Sequence, residues 1–200
     1  MQKNKKQGLW TIMSPVNLYI RSAITLAALS GITSIVGYVF LAYLIDAIQS
    51  DKMEFLGLHL SLKEGLFLLA GITIFSFIAK FYSFVISHLG AFKLEQILRT
   101  QLTTHMAQIP LGHIITLGTG TLKKVLLEDI KNLHAFVADT TPMIGKAYAA
   151  PIASLVALLL IDYRLAFVAI AILIFGAIIM FFVMKDSVSH RQNYEQSQSE

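Results

Sequence analysis

No cysteine occurs anywhere in the 200 residues, which excludes disulfide bonds, thiol catalysis and cysteine-ligated metals. Charge is scarce too. Asp, Glu, Lys and Arg make up 14% of the chain, against about 25% in soluble domains. The deficit is concentrated in long uncharged runs, so a soluble domain with a large core does not account for it. The net charge of +4 is modest and lacks the basic clustering of a nucleic-acid binder. His59, His88, His105, His113, His134 and His190 show no metal-ligand spacing such as H-x-x-x-H.

What the chain does have is apolar length. It is 56% hydrophobic with a mean hydropathy of +0.67. Four stretches approach or exceed the roughly 20 apolar residues that a transmembrane helix needs. The first is residues 22–45, without a charge. The second is residues 65–92, interrupted by Lys80 and His88. The third is residues 143–161, with its core at Ala147–Ile161, and the fourth is residues 165–184. The first run is too long for the apolar core of a secretory signal, which is about 7–15 residues. The reading is therefore an all-α membrane protein of four transmembrane helices.

Lysine and arginine placement orients the spans. One side carries Lys3, Lys5, Lys6 and Arg21, then Lys93, Arg99, Lys123, Lys124, Lys131 and Lys146, then Lys185 and Arg191. The other carries Lys52, Lys63 and Arg164. The N-terminus, the loop over residues 93–142 and the C-terminus are expected in the cytoplasm. Residues 46–64 and the turn Asp162-Tyr163-Arg164 are expected outside. Residues 1–20 read as an interfacial elbow, because Leu9, Trp10, Ile12 and Met13 stand beside a lysine cluster.

The long insert is amphipathic. From Ala91 to Gln108, Leu94, Ile97, Leu98, Leu102 and Met106 recur at helical spacing. Nothing breaks the helix between Gly65 and Gln108, so span two is expected to continue into the cytoplasm until Pro110 and Gly112 end it. After the turn Gly118-Thr119-Gly120, Leu122, Leu126, Ile130, Leu133 and Val137 form one stripe at spacings of four, four, three and four. Lys124 and Glu128 make an i,i+4 pair on the other side. This second helix is expected to run through Pro142 into span three, completing a helical hairpin with a short segment at its tip.

Lys80 is either a functional intramembrane charge or a lysine snorkelling to the headgroups. Pro151 is read as a kink. The small residues Ala27, Ser30, Gly31, Ser34 and Gly37 mark a close helix–helix face. The spans are otherwise nearly empty of clustered polar residues on sequence, which weighs against a membrane-embedded enzyme. A four-span scaffold or enzyme is nevertheless the alternative reading.

The run from Ile109 resembles the first intracellular loop of ABC transporters with the exporter-type transmembrane fold. The matching residues are Pro110, Gly120, Leu122, Lys123-Lys124 and Asp129. A finer pattern resembles the siderophore-transporting half-transporters: Pro110-Leu111-Gly112, Thr119–Lys124, Leu133-His134, Val137-Ala138, Pro142 and Asp162-Tyr163-Arg164. His113-Ile114-Ile115 stands where that family usually carries an aromatic. The resemblance implies a coupling helix over Leu111, Gly112, His113, Ile114, Ile115, Thr116 and Leu117. Together with Gly120 and Asp129, this helix would dock on a nucleotide-binding domain, Asp129 capping or bridging helices there. It implies a second half-transporter as partner, a surrounding lipid bilayer, and a bacterial inner-membrane location. It also implies that residues 21–200 are part of a six-helix transmembrane domain, the chain being an N-terminal piece of a larger transporter. No catalytic, cofactor or metal site is expected in this chain. Gly118–Lys124 lacks the phosphate-loop spacing, so ATP and magnesium are expected on the separate ATPase domain.

Overall fold

In the computed structural model the described residues are 11–50, 54–55, 58–59, 61–110, 112, 120 and 123–197, with backbone alone at 50, 54–55, 58–59 and 185–197. Leu9 and Trp10 of the elbow lie outside them.

Four long helices account for nearly all of it. A 3₁₀ turn at Ser14–Val16, with Pro15 at its start, leads into α1 (Asn17–Ser50). A short hairpin follows, β1 (Glu54–Phe55) pairing antiparallel with β2 (Leu58–His59). Then come α2 (Leu62–Ala107), α3 (Lys124–Ile161) and α4 (Tyr163–Ser197). Each of the four is long and apolar enough to cross a membrane, and each contains one of the four stretches read from the sequence. The hairpin is a small departure from an all-helical reading.

α2 is the longest element. Its 46 residues span about 69 Å at 1.5 Å per residue, so one rod continues well beyond a hydrocarbon core of about 30 Å. A capping box starts it. Glu64 N–H donates to Ser61 Oγ at 3.4 Å, and Ser61 N–H donates to Glu64 Oε2 at 2.7 Å. The Ser61 backbone bond, and then its side-chain bond, hold the Glu64 carboxyl below the usual carboxylate range. Glu64 stands just ahead of the spanning residues. At its other end α2 closes with the Gln108 N–H on the carbonyls of His105 and Met106, ahead of Pro110.

α3 is not a uniform α-helix. Lys124–Asp129 and Phe136–Thr140 are π turns, with α-helix at Ile130–Ala135 and Thr141–Ile161. The apolar spacings of four, four, three and four run slightly wider than 3.6 residues per turn, and a π turn absorbs such an excess. Ile130, Val137 and Ala138 are buried as a result, with Leu133 packed beside them. Pro151 is accommodated inside the helix.

The chain divides into two compact units, residues 1–153 and 154–200. In the first, the largest apolar core is at the end of the spans from which α2 and α3 extend. Met13, Val16 and Ile20 meet Ala91 and Leu94 of α2 and Val137 and Ala138 of α3. Met13 and Val16 of the elbow are thus core residues, while Ile12 is exposed. In the second unit, Asp162 separates α3 from α4, and its Oδ1 accepts the Arg164 N–H at 2.8 Å. That is an N-cap. Arg164 also lies over the Tyr163 ring, 5.8 Å from its centroid. Along residues 171–184 α4 exposes Ile, Leu, Phe, Met and Val side chains.

Candidate functional site

Two places in the first unit stand out. The first is the pair of arms formed by α2 and α3 beyond the bilayer. Leu94 is fully buried against Val137, with Leu98 and Leu133 packed at the margin. Glu95 clamps this seam. Its Oε1 lies 2.7 Å from Arg99 Nη2 on the same helix, and its Oε2 lies 2.8 Å from His134 Nδ1 on α3. The imidazole is not aligned for a hydrogen bond to that carboxylate, so the contact is one of proximity. Phe92 meets the same ring edge-on, with centroids 4.7 Å apart.

These arms lead to the segment expected to dock an ATPase domain. Leu111 and His113, Ile114, Ile115, Thr116 and Leu117 lie outside the described residues. Gly112 and Gly120 are helical and exposed, and a Cβ at either would meet nothing within 4 Å. Asp129 is exposed in the first π turn of α3 and makes no capping hydrogen bond. The helix continues through it, so there is no helix start there to cap.

The second place is inside the spans. α1 and α2 run antiparallel and are locked by serines. Ser30 Oγ donates to the Ser76 carbonyl at 2.9 Å, and Ser76 Oγ donates back to the Ser30 carbonyl at 3.0 Å. Ser34 Oγ sits 2.7 Å from Ser76 Oγ. Two turns along, Ser83 Oγ donates to the Ala23 carbonyl at 2.7 Å, and Ser87 bonds the Ala138 carbonyl of α3. Gly145 lets α3 approach as well, since a Cβ there would overlap the Ile24 carbonyl.

Beside this lock is a cleft of about 320 Å³ between α1 and α2, reached by Lys80 and Lys146. A second hollow of about 170 Å³ shares Ser30, Lys80 and Lys146 with it. Both lysines stand at nearly one height. Lys80 lies on α2 between Ser76 and Ser83, whose partners are Ser30 and Ala23 of α1. Lys146 Cγ would be 3.5 Å from a Cβ on Gly31. Lys146, counted on sequence with the loop charges, is therefore within the spanning height. The spans are also not empty of clustered polar groups, because packing brings together residues far apart in sequence. A signal for this was present in span two: Ser76, Ala79, Ser83, Ser87 and Gly90 form a buried small-residue stripe at helical spacing.

Residues 20–200 match the ABC transporter transmembrane region. The chain is 28% identical over 170 residues to the mycobactin import ATP-binding/permease protein IrtA of Mycolicibacterium smegmatis, covering 82% of this chain and 18% of that protein. It is 29% identical over 92 residues to the protein of the same name from Mycobacterium tuberculosis, covering 46% of this chain and 10% of that one. It thus spans less than a fifth of the length of these relatives. The match over residues 20–200, carried by four long apolar helices, places the chain in the ABC transporter transmembrane region family.

Proposed function

We propose that this chain is membrane machinery of an ATP-driven transporter that moves a small organic molecule, a siderophore being the best candidate. The siderophore class rests on the likeness to proteins named for mycobactin import. The observation that carries the coupling role is the clamped pair of arms. Glu95, Arg99 and His134, with Leu94 packed on Val137, make α2 and α3 one stiff unit beyond the bilayer. Such a unit transmits a push at its tip to both spans, because packed interfaces move as bodies and do not deform continuously.

In this reading Leu111–Leu117, with Gly120 and Asp129, docks on a nucleotide-binding domain. ATP and magnesium are bound there, since Gly118–Lys124 cannot wrap phosphates. A second half-transporter completes the pathway. The N-terminus, the arms and the C-terminus are cytoplasmic, in a bacterial inner membrane.

The test is reconstitution of the full transporter that carries this chain, with its ATPase domain and its second half-transporter, in proteoliposomes, following ATP-dependent movement of iron-55-loaded mycobactin. Replacing Ile114 and Ile115 by Asp should cut association with the ATPase domain, and substrate-stimulated hydrolysis, by about tenfold or more, as loss of an apolar anchor does. Unchanged association in that variant removes the docking assignment. Absence of ATP-dependent movement of mycobactin in the unaltered assembly removes the substrate class.

A further inference from the structure

We infer that the cleft between α1 and α2 binds the oxyanion head of an amphipathic small molecule, held between Lys80 and Lys146. The inference deepens the transport reading and rests on it for the word substrate, though the binding itself does not require transport.

Lysine inside a bilayer is costly, about 3 kcal/mol near the middle of a span, and here two share one height. With the α1 span at residues 22–45, the lysines stand about 10 Å from its midpoint, roughly 5 Å inside the edge of a hydrocarbon core about 30 Å thick, where the cost is smaller than at the centre. Among the described residues, no carboxylate lies within ion-pair distance of either, and none lines the cleft. A lone lysine can snorkel to headgroups. Two of them converging on the same hollows, one from α2 and one from α3, form a binding geometry with unmet charge.

The hydroxyls around them sharpen the ligand class. Thr33 and Thr73 donate to the Leu29 and Leu69 carbonyls of their own helices, at 2.8 and 2.9 Å. Ser30 and Ser76 donate to each other's carbonyls. The donors left for a guest are therefore the two ammonium groups and, further along the cleft, the Tyr38 hydroxyl. A carboxylate, hydroxamate, phenolate or phosphate oxygen accepts from the ammonium groups through short, charge-assisted bonds. Past the lysines, the cleft continues between Gly37, Tyr38 and Leu41 of α1 and Leu69, Ile72 and Phe77 of α2. It is charged at one end and largely apolar along the rest, which suits a guest with an anionic head and a greasy body.

The test uses the full chain in nanodiscs of purely zwitterionic phosphatidylcholine. The probes are 11-(dansylamino)undecanoic acid and its methyl ester, read by dansyl fluorescence. The acid should bind about tenfold more tightly than the ester or better. Lys80→Gln and Lys146→Gln should each remove most of that preference while leaving ester binding unchanged, and Lys80→Arg should retain it. Equal affinity for acid and ester in the unaltered protein overturns the inference, with no reliance on how any variant folds. A preference that survives both glutamine variants overturns it as well. Phosphatidylglycerol is added in a second series. If it displaces the acid from the unaltered protein as effectively as excess acid does, the site belongs to leaflet lipid and the substrate assignment fails. If the acid remains bound, the substrate assignment stands. None of these readouts involves ATP, so loss of coupling at Ile114 and Ile115 neither supports nor weakens the result.

Discussion

At Gly145 a single hydrogen atom in place of a methyl group decides how closely α3 can lie on α1. The obstacle to a side chain is the Ile24 carbonyl, which is backbone and cannot rotate away. Gly145→Ala should therefore force the helices apart and lower stability by about 1–3 kcal/mol, the usual cost of overpacking. Gly71→Ala is the matched control. A Cβ there meets nothing within 4 Å, and alanine is the better helix former by about 1 kcal/mol, so its thermal midpoint in nanodiscs should hold or rise. Equal behaviour of the two variants would show that the approach at Gly145 is not tight. This scale was also where sequence said least. The small-residue face of α1 was legible, yet its division was not: Ser30 and Ser34 serve α2, while Gly31 serves Lys146 and Ala150 of α3. Nor could it be read that Lys146 stands level with Lys80, because that depends on the register between helices and not on spacing along one of them.

The elements themselves were far more legible, and the reason is physical. A helix crossing lipid must satisfy every backbone group internally, so apolar length alone nearly determines it, and four helices long and apolar enough to cross a membrane follow. The arms could be read from 3.6-residue spacing, although the π turns could not, since they arise where tertiary packing stretches a stripe beyond that period. Helix starts obey local chemistry. The Ser61 and Glu64 box predicts that Ser61→Ala frays the first turn of α2, visible as several-fold faster amide exchange over Leu62–Gly65, with residues 76–94 unaffected. The same box gives a pH dependence. Because the folded carboxyl of Glu64 titrates below its ordinary value, its contribution is fully present at neutral pH and declines as pH falls through that lowered value. Protection of the first-turn amides, after correction for the intrinsic pH dependence of exchange, should fall in acid in the unaltered protein, and the fall should be smaller in Glu64→Gln. A first turn indifferent to both pH and Ser61→Ala would mean that the neighbouring strands, not the box, set the helix start.

For the whole molecule, the question that matters most is which side of the membrane carries the clamped arms, because docking and the lysine cleft both take their meaning from it. The lysine and arginine asymmetry gives one answer on electrostatic grounds: positive loops are retained on the cytoplasmic side. The chain is unusually well suited to a direct check, since it contains no cysteine and any introduced thiol is unique. Lys131 is exposed on the α3 arm, and Lys63 and Tyr163 are exposed at the starts of α2 and α4. In intact spheroplasts, a membrane-impermeant maleimide should label Lys63→Cys and Tyr163→Cys promptly, and should reach Lys131→Cys only after permeabilisation. The opposite pattern would put the arms outside. No ATPase domain could then reach them, and the charged end of the cleft would face the outer leaflet. Labelling of all three without permeabilisation would break the four-span topology itself. With the expected pattern, the arms face the compartment that holds ATP. Lys80 and Lys146 then stand toward the inner leaflet, so an anionic guest in the cleft would be held by its head near the side on which the arms can be pushed.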